Sequence, residues 1–138
     1  MAANTNPIYT RTPDLQWGAS VLTTANTAKD GTGTVLTVFT ADASEGGFVQ
    51  KLRFRAAGTN VATVARIFIN NGSTNATAAN NILYDEITLA ATTLSETGAT
   101  SLYEVPVMVA LPPGYKINIT IGTTVSAGYY VSAVGGKY

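Results

Sequence analysis

Strict alternation of apolar and polar residues constrains the fold of this chain more than any other feature of its sequence. In residues 115–121 every second side chain is apolar, so Ile117, Ile119 and Ile121 share one face of a predicted strand. The same alternation predicts further strands at residues 17–23, 34–40, 48–55, 61–70, 81–90, 102–111 and 129–134. No window carries the apolar stripe of an amphipathic helix, which excludes parallel strands joined by crossover helices.

Turn signals rich in Gly, Pro, Asn and Asp separate the predicted strands. With no helix between them, the strands favour an antiparallel arrangement. We predict an all-β fold: a single antiparallel β-sandwich, jelly-roll-like, of about eight strands. A chain of 138 residues suffices for one such domain, which we place at residues 17–138. Pro106 lies opposite the apolar face of its strand and has no N–H to donate, so this strand is predicted at a sheet edge or at a bulge.

Residues 1–16 lie outside the alternating pattern and are predicted to form an extended N-terminal arm. The segment is polar and contains Pro7 and Pro13. One interpretation is a frayed tail. The other is an arm that docks on a neighbouring subunit, because apolar anchors occur within it and directly after it. These anchors are Ile8, Tyr9, Leu15 and Trp17.

The chain contains no histidine and no cysteine, which removes several kinds of chemistry. Disulfides, thiolate nucleophiles, Ser–His triads and imidazole or thiolate metal sites all require one of these residues. Among the acids, Asp85 and Glu86 are adjacent on a predicted strand and point to opposite faces, so they cannot act as a catalytic pair. We therefore predict that the protein is not an enzyme and has no catalytic residue, no metal site and no cofactor.

Charged residues make up only 12% of the chain, and the formal net charge is zero. Eight basic and eight acidic residues leave no basic excess for a phosphate backbone, so no nucleic-acid partner is predicted. No secretory leader is visible, and no apolar run approaches the roughly 18–20 residues of a transmembrane helix. The sequence therefore predicts a soluble protein that is made without a leader and has no membrane partner.

Three basic residues, Lys51, Arg53 and Arg55, fall on one face of the strand predicted at residues 48–55. Combined with exposed aromatic residues, such a stripe is typical of a nucleic-acid groove, although the zero net charge argues against one. The remaining interpretations are a solvated outer face and a contact with an acidic partner subunit.

Aromatic and amide side chains provide two further groups of candidate contact residues. Tyr129, Tyr130 and Tyr138 are, together with Trp17, a possible platform for stacking on a sugar. The alternative is packing in the core and at a subunit interface, because alternation sends only one of Tyr129 and Tyr130 outward. Residues 70–81, which include Asn71 and Asn75, form a long polar linker that is either a contact surface or a solvated loop.

Three stretches carry a resemblance to known proteins: residues 26–35 (NTAKDGTGTV), 58–73 (GTNVATVARIFINNGS) and 110–116 (ALPPGYK). In these stretches, and in its general composition over most of residues 17–138, the chain resembles small all-β bacteriophage virion proteins. Such proteins occur as capsid decoration or as other accessory particle components. The resemblance implies a structural role and supplies no catalytic positions.

On this resemblance we expect a virion protein, made in the host bacterial cytoplasm, that decorates or cements the capsid. The expected partners are copies of the chain itself, as a trimer or dimer, and the major capsid protein or other virion proteins. The alternative is a tail or fibre-associated module that binds host-surface glycan through exposed Tyr, Trp and Asn residues.

Overall fold

The computed structural model describes residues 10–138, which form two antiparallel β-sheets. The strands are β1 (Thr12–Pro13), β2 (Gln16–Trp17), β3 (Leu36–Thr40), β4 (Gly47–Ala56), β5 (Thr63–Asn70), β6 (Asn81–Leu89), β7 (Leu102–Leu111), β8 (Lys116–Ile121) and β9 (Tyr129–Lys137). One 3-10 turn, Ala78–Asn80, precedes β6, and the described residues contain no α-helix. In residues 10–138 no helix has the length and apolarity that a membrane crossing requires. The predicted all-β, antiparallel fold is confirmed.

Sheet A has the strand order β1-β9-β4-β7, with β2 also paired to β9, and sheet B has the order β3-β8-β5-β6. The strand β7 has the predicted bounds, whereas the segment predicted at residues 17–23 contributes only the end of β2 and one bridge between Leu22 and Tyr129. Gly18 ends β2, and a Cβ atom at this glycine would lie only 2.6 Å from the side chain of Leu36. A side chain at this position would therefore clash with Leu36, so the close contact requires a residue as small as glycine.

The core is one cluster of buried side chains that come from both sheets. Sheet A contributes Leu52, Phe54 and Val131, and sheet B contributes Ile67 and Ile117, among others. The apolar faces of the two sheets are therefore turned toward each other, and the arrangement is β-sandwich-like. Burial of each large apolar side chain contributes about 1.5–3 kcal/mol, so the alternation that predicts the strands also stabilises their packing.

The strand β7 is an edge strand of sheet A and is also bulged, as Pro106 predicts. The pairing runs from Val49 opposite Val109 to Lys51 opposite Pro106, so β7 has one residue more than β4 in this interval. Met108 lies in the bulge with a φ of 50°, a left-handed conformation that is unusual for a residue with a side chain. The bulge and the proline together interrupt the edge at which a further strand would pair.

Part of the predicted arm belongs to sheet A. The strand β1 pairs with the end of β9, and β2 pairs with its middle. The Gln16 side chain also exchanges two hydrogen bonds of 2.9 Å with the backbone of Thr40 in β3. Residues 1–9, which include the predicted anchors Ile8 and Tyr9, lie outside the described residues. The folded domain therefore extends N-terminally to β1 at least.

The long segment between β2 and β3 crosses the outer face of sheet B. Ala25 bridges to Ile121 in β8, and Asn81 at the start of β6 donates a 3.1 Å hydrogen bond to the carbonyl of Asp30. Because β8 and β6 lie on opposite sides of β5, this segment spans the sheet. Phe68 of β5 is 0% exposed although it lies outside the core cluster, which agrees with this covering. Sheet A presents its outer face to solvent.

Candidate interaction face

The outer face of sheet A brings together five of the residues singled out from the sequence: Trp17, Lys51, Arg53, Arg55 and Tyr130. We call this surface the cation–aromatic face. It arises from the alternation in β4, where Leu52 and Phe54 are buried in the core and the three basic residues point away from it.

Arg55 lies between an aromatic and an aliphatic neighbour. Tyr130 of β9 is opposite Arg55 on one side, and Leu102 of β7 is opposite it on the other. Tyr130 is 61% exposed, whereas the preceding Tyr129 is fully buried, and this burial raises the pKa of the Tyr129 hydroxyl. The prediction that only one of the two tyrosines points outward is confirmed.

Arg53 lies one row further along the face, between Ser132 of β9 and Glu104 of β7. Ser132 also pairs with Trp17 of β2, whose side chain is 66% exposed. Trp17 and Tyr130 are therefore diagonal neighbours on adjacent strands, and such positions are about 7–8 Å apart. The two exposed aromatic side chains flank the same patch of the sheet.

Glu104 forms two ion pairs on this face. Its Oε2 lies 3.1 Å from Nζ of Lys51, and its Oε1 lies 3.2 Å from Nε of Arg53. Both pairs are open to solvent, so each stabilises the fold by at most about 1 kcal/mol. Arg55, by contrast, forms no ion pair with any group in residues 10–138. One carboxylate thus serves two cations, and Arg55 has the least compensated charge.

An open cavity of about 300 Å³ lies at this place. It is lined by Arg53, Arg55, Leu102, Tyr130 and Ser132. The lining combines two guanidinium groups, a hydroxyl and an aromatic ring around a small aliphatic surface. Such a set of groups offers both an apolar surface and polar partners to a ligand.

A buried asparagine holds the ends of the two strands that carry the cavity. Asn60 follows β4 and is 3% exposed. Its Oδ1 accepts hydrogen bonds from the N–H groups of Ala127 (2.9 Å) and Gly128 (2.8 Å), and its Nδ2 donates to the carbonyl of Gly128 (2.9 Å). The same carbonyl accepts from the N–H of Ala57 at 2.9 Å. The turn before β9 is thereby fixed against the turn after β4, close to the paired residues Arg55 and Tyr130.

The asparagines singled out from the sequence lie away from this face and make hydrogen bonds within the chain. Nδ2 of Asn75 donates to the carbonyls of Gly31 (3.1 Å) and Gly33 (2.8 Å), so it holds the segment that covers sheet B. Asn71 donates to Oδ1 of Asn80 at 3.2 Å. The linker at residues 70–81 therefore has a structural role in addition to any contact it makes.

The remaining candidate residues differ in their position relative to the cation–aromatic face. Leu15 is 59% exposed and lies between β1 and β2, two residues before Trp17. The shared register of β1 and β2 on β9 places it on the same outer side of sheet A as Trp17. Tyr138 directly follows β9, at the opposite end of that strand from Tyr130. Ile8 and Tyr9 are outside the described residues, so the structure does not test their role as anchors.

Three residues of the face were not predicted: Leu102, Glu104 and Ser132. Alternation in the strand at residues 102–111 already places Glu104 opposite the apolar face. The missing information is the pairing of β7 with β4, because it joins residues that are far apart in the chain. Ser132 was missed for the same reason, since only its pairing with both Trp17 and Arg53 makes it part of the site.

Two carboxylates outside this face are used by local turns. Oδ1 of Asp42 accepts hydrogen bonds from the N–H groups of Ser44 and Glu45, both at 2.9 Å, and these bonds hold the pKa of Asp42 below its ordinary value. The hydroxyl and N–H of Thr32 lower the pKa of Asp30 in the same way. Within residues 10–138 no three Asp or Glu side chains come together as a possible metal site.

Comparison of the chain with protein-family models, with curated proteins and with solved structures finds no match. The chemistry of the cation–aromatic face therefore has to be read from its own residues. That face combines exposed aromatic rings, one shared carboxylate and one uncompensated arginine on a rigid sheet.

Proposed function

We propose that this chain is a non-enzymatic structural protein of a bacteriophage virion that decorates or cements the capsid. The observation that carries the proposal is the order of the strands in the two sheets. β1 and β2 both pair with β9, and we count them as one interrupted strand. Sheet A then has the order first, eighth, third, sixth, and sheet B the order second, seventh, fourth, fifth. This order supports a jelly-roll sandwich of eight strands, an architecture found in viral capsid and lectin domains.

The edge strands of the two sheets are unsuited to pairing with strands of another copy. Copies of the chain would therefore contact each other through the faces of the sheets and through the segments between strands. The hydroxyl of Tyr84 in β6 donates to the carbonyl of Val107 in β7 at 2.9 Å, which links the edge strands of the two sheets. The bulge at Met108 interrupts the β7 edge. We therefore propose a homo-oligomer, a trimer or a dimer, that seats on the capsid lattice.

The N-terminal segment is the proposed attachment to neighbouring subunits. A truncation that tests this attachment has to be confined to residues 1–9, because removal of residues 12–17 would also remove β1 and β2 from sheet A. Particles that lack the protein are incubated with the full chain or with a chain lacking residues 2–9, and binding is measured by co-sedimentation. We expect saturable binding of the full chain and a strong loss on truncation.

A variant in which residues 2–9 are replaced by a Gly/Ser sequence of equal length separates the loss of anchors from the loss of length. It should bind as poorly as the truncated chain. Normal binding of both variants would refute the attachment through this segment. Failure of the full chain itself to bind particles would refute the decoration function.

A second candidate function is binding of host-surface glycan by a tail or fibre-associated module. The specific observation in its favour is the pair of exposed aromatic residues, Trp17 and Tyr130, beside the open cavity. A glycan array probed with the full chain tests this candidate. Binding that is lost in both Trp17→Ala and Tyr130→Ala would support it, and an array without any bound glycan would exclude it.

A further inference from the structure

The charges of the cation–aromatic face are unevenly compensated, and this imbalance indicates a class of ligand. Glu104 lies within 3.2 Å of both Lys51 and Arg53, so these two cations already have an anionic partner. Arg55 has none within the described part of the chain. A guanidinium group keeps its charge at every physiological pH and presents paired donors that match a carboxylate. Arg55 is therefore the one basic residue of this face without an anionic partner among the described residues.

The neighbours of Arg55 determine what must accompany an anionic group bound to it. Tyr130 lies directly opposite Arg55, and Trp17 is the diagonal neighbour of Tyr130. The electron-rich faces of the aromatic rings attract the C–H groups of a ring-shaped ligand, while the polar edges of the ligand stay in water. Ser132 adds a hydroxyl that both donates and accepts hydrogen bonds. A pyranose ring with a carboxylate substituent satisfies all of these groups at once.

The position of Glu104 argues against a polyanion on this face. A single-stranded nucleic acid needs a continuous positive groove along its backbone. Here the carboxylate of Glu104 lies in the middle of the basic stripe and opposes a second phosphate beside Arg53. One isolated anionic group, as in an acidic sugar, avoids this repulsion.

We propose that the cation–aromatic face binds a carboxylated glycan, with the sugar carboxylate on Arg55 and sugar rings packed on Tyr130 and Trp17. The inference rests on the glycan-binding candidate and names the chemical class of its ligand. It is compatible with capsid decoration, because a decorating subunit can display this face to the outside. Its failure is also distinguishable from failure of the decoration function, since particle binding is measured in a separate assay.

The test compares acidic sugars with matched neutral ones by isothermal titration calorimetry on the full chain. The probe pairs are galacturonic acid with its methyl ester, and 3′-sialyllactose with lactose. We expect at least one acidic probe to bind about 10- to 100-fold more tightly than its neutral counterpart, the effect of one charge-assisted interaction. Equal affinity within both pairs, or no binding of any probe, would overturn the proposal.

Variants assign the binding to the proposed groups. Arg55→Met should remove most of the preference for the acidic probe, Arg55→Lys should keep part of it, and Tyr130→Ala should weaken both members of a pair. Arg11→Met is the matched control, because Arg11 lies away from this face and forms an ion pair of 3.0 Å with Glu45. An unchanged preference in Arg55→Met would refute the role of Arg55. A single-stranded oligonucleotide that binds more tightly than the acidic sugars would identify the face as a nucleic-acid site and overturn the proposal.

Discussion

Replacement of Asn60 by alanine tests whether one buried amide holds the two turns beside the cavity. The side chain makes three hydrogen bonds of 2.8–2.9 Å to the backbone of Ala127 and Gly128. At about 1 kcal/mol for each hydrogen bond, their loss costs about 3 kcal/mol. Gly128 is buried, so its N–H group also loses its acceptor, which adds about 1 kcal/mol. We expect Asn60→Ala to lower the free energy of unfolding by about 3–4 kcal/mol.

Urea denaturation followed by tryptophan fluorescence measures this loss, since Trp17 is the sole tryptophan. A loss of this size is a large fraction of the about 5–15 kcal/mol that stabilises a typical domain. With a urea dependence of about 2 kcal/mol/M, the midpoint should fall by about 1.5–2 M. Asn71→Ala is the control, because Asn71 is exposed and should cost less than about 1 kcal/mol. Equal midpoints for the two variants would refute the role assigned to Asn60.

Three further predictions concern the polar interior, the bulge and pH. Thr63→Val should lower the free energy of unfolding by about 1–3 kcal/mol, because the Thr63 hydroxyl forms hydrogen bonds of 3.0 and 3.2 Å with the backbone of Thr123. Thr120→Val should be neutral or stabilising, because the buried Thr120 hydroxyl has no partner among the described residues. The urea midpoints of the two variants test this difference. Met108→Val should lower the melting temperature more than Met108→Gly. A φ of 50° costs any residue other than glycine about 1–2 kcal/mol, and a β-branched residue more. Equal melting temperatures of the two variants would contradict backbone strain at this position. The pKa values of Asp30 and Asp42 are lowered from 3.8 in the folded chain, so the stability they contribute is present above pH 3.8 and is lost as pH falls through their folded values. Urea midpoints at a series of acidic pH values should show this loss, and Asp42→Asn should reduce it.

The positions of most strands and the directions of their side chains could be predicted from the sequence, because both follow from a local period of two residues. Alternation alone placed the three basic residues of β4 on one face and turned Tyr130 outward while Tyr129 entered the core. It failed at residues 17–23, where β2 ends at Trp17 and only one further bridge forms, between Leu22 and Tyr129. That contact joins two distant segments and leaves no local pattern.

The composition of the site depended on strand pairing, which sequence patterns do not contain. Lys51 and Glu104 are 53 residues apart, and only the antiparallel register of β4 and β7 brings them together. Asn60 was hidden for another reason. An asparagine after Gly-Thr is typical of a solvated turn, yet here the Asn60 side chain is buried and bonds the backbone of Ala127 and Gly128.

Electron cryo-microscopy of the virus particle is the decisive test of the proposed structural role on the capsid. The measurement is made on particles of the proposed source phage, with a deletion mutant for a difference map. We expect difference density for a two-sheet domain, in dimeric or trimeric clusters, at regular positions of the capsid lattice. Density confined to the tail, or wild-type particles that lack the protein altogether, would contradict it.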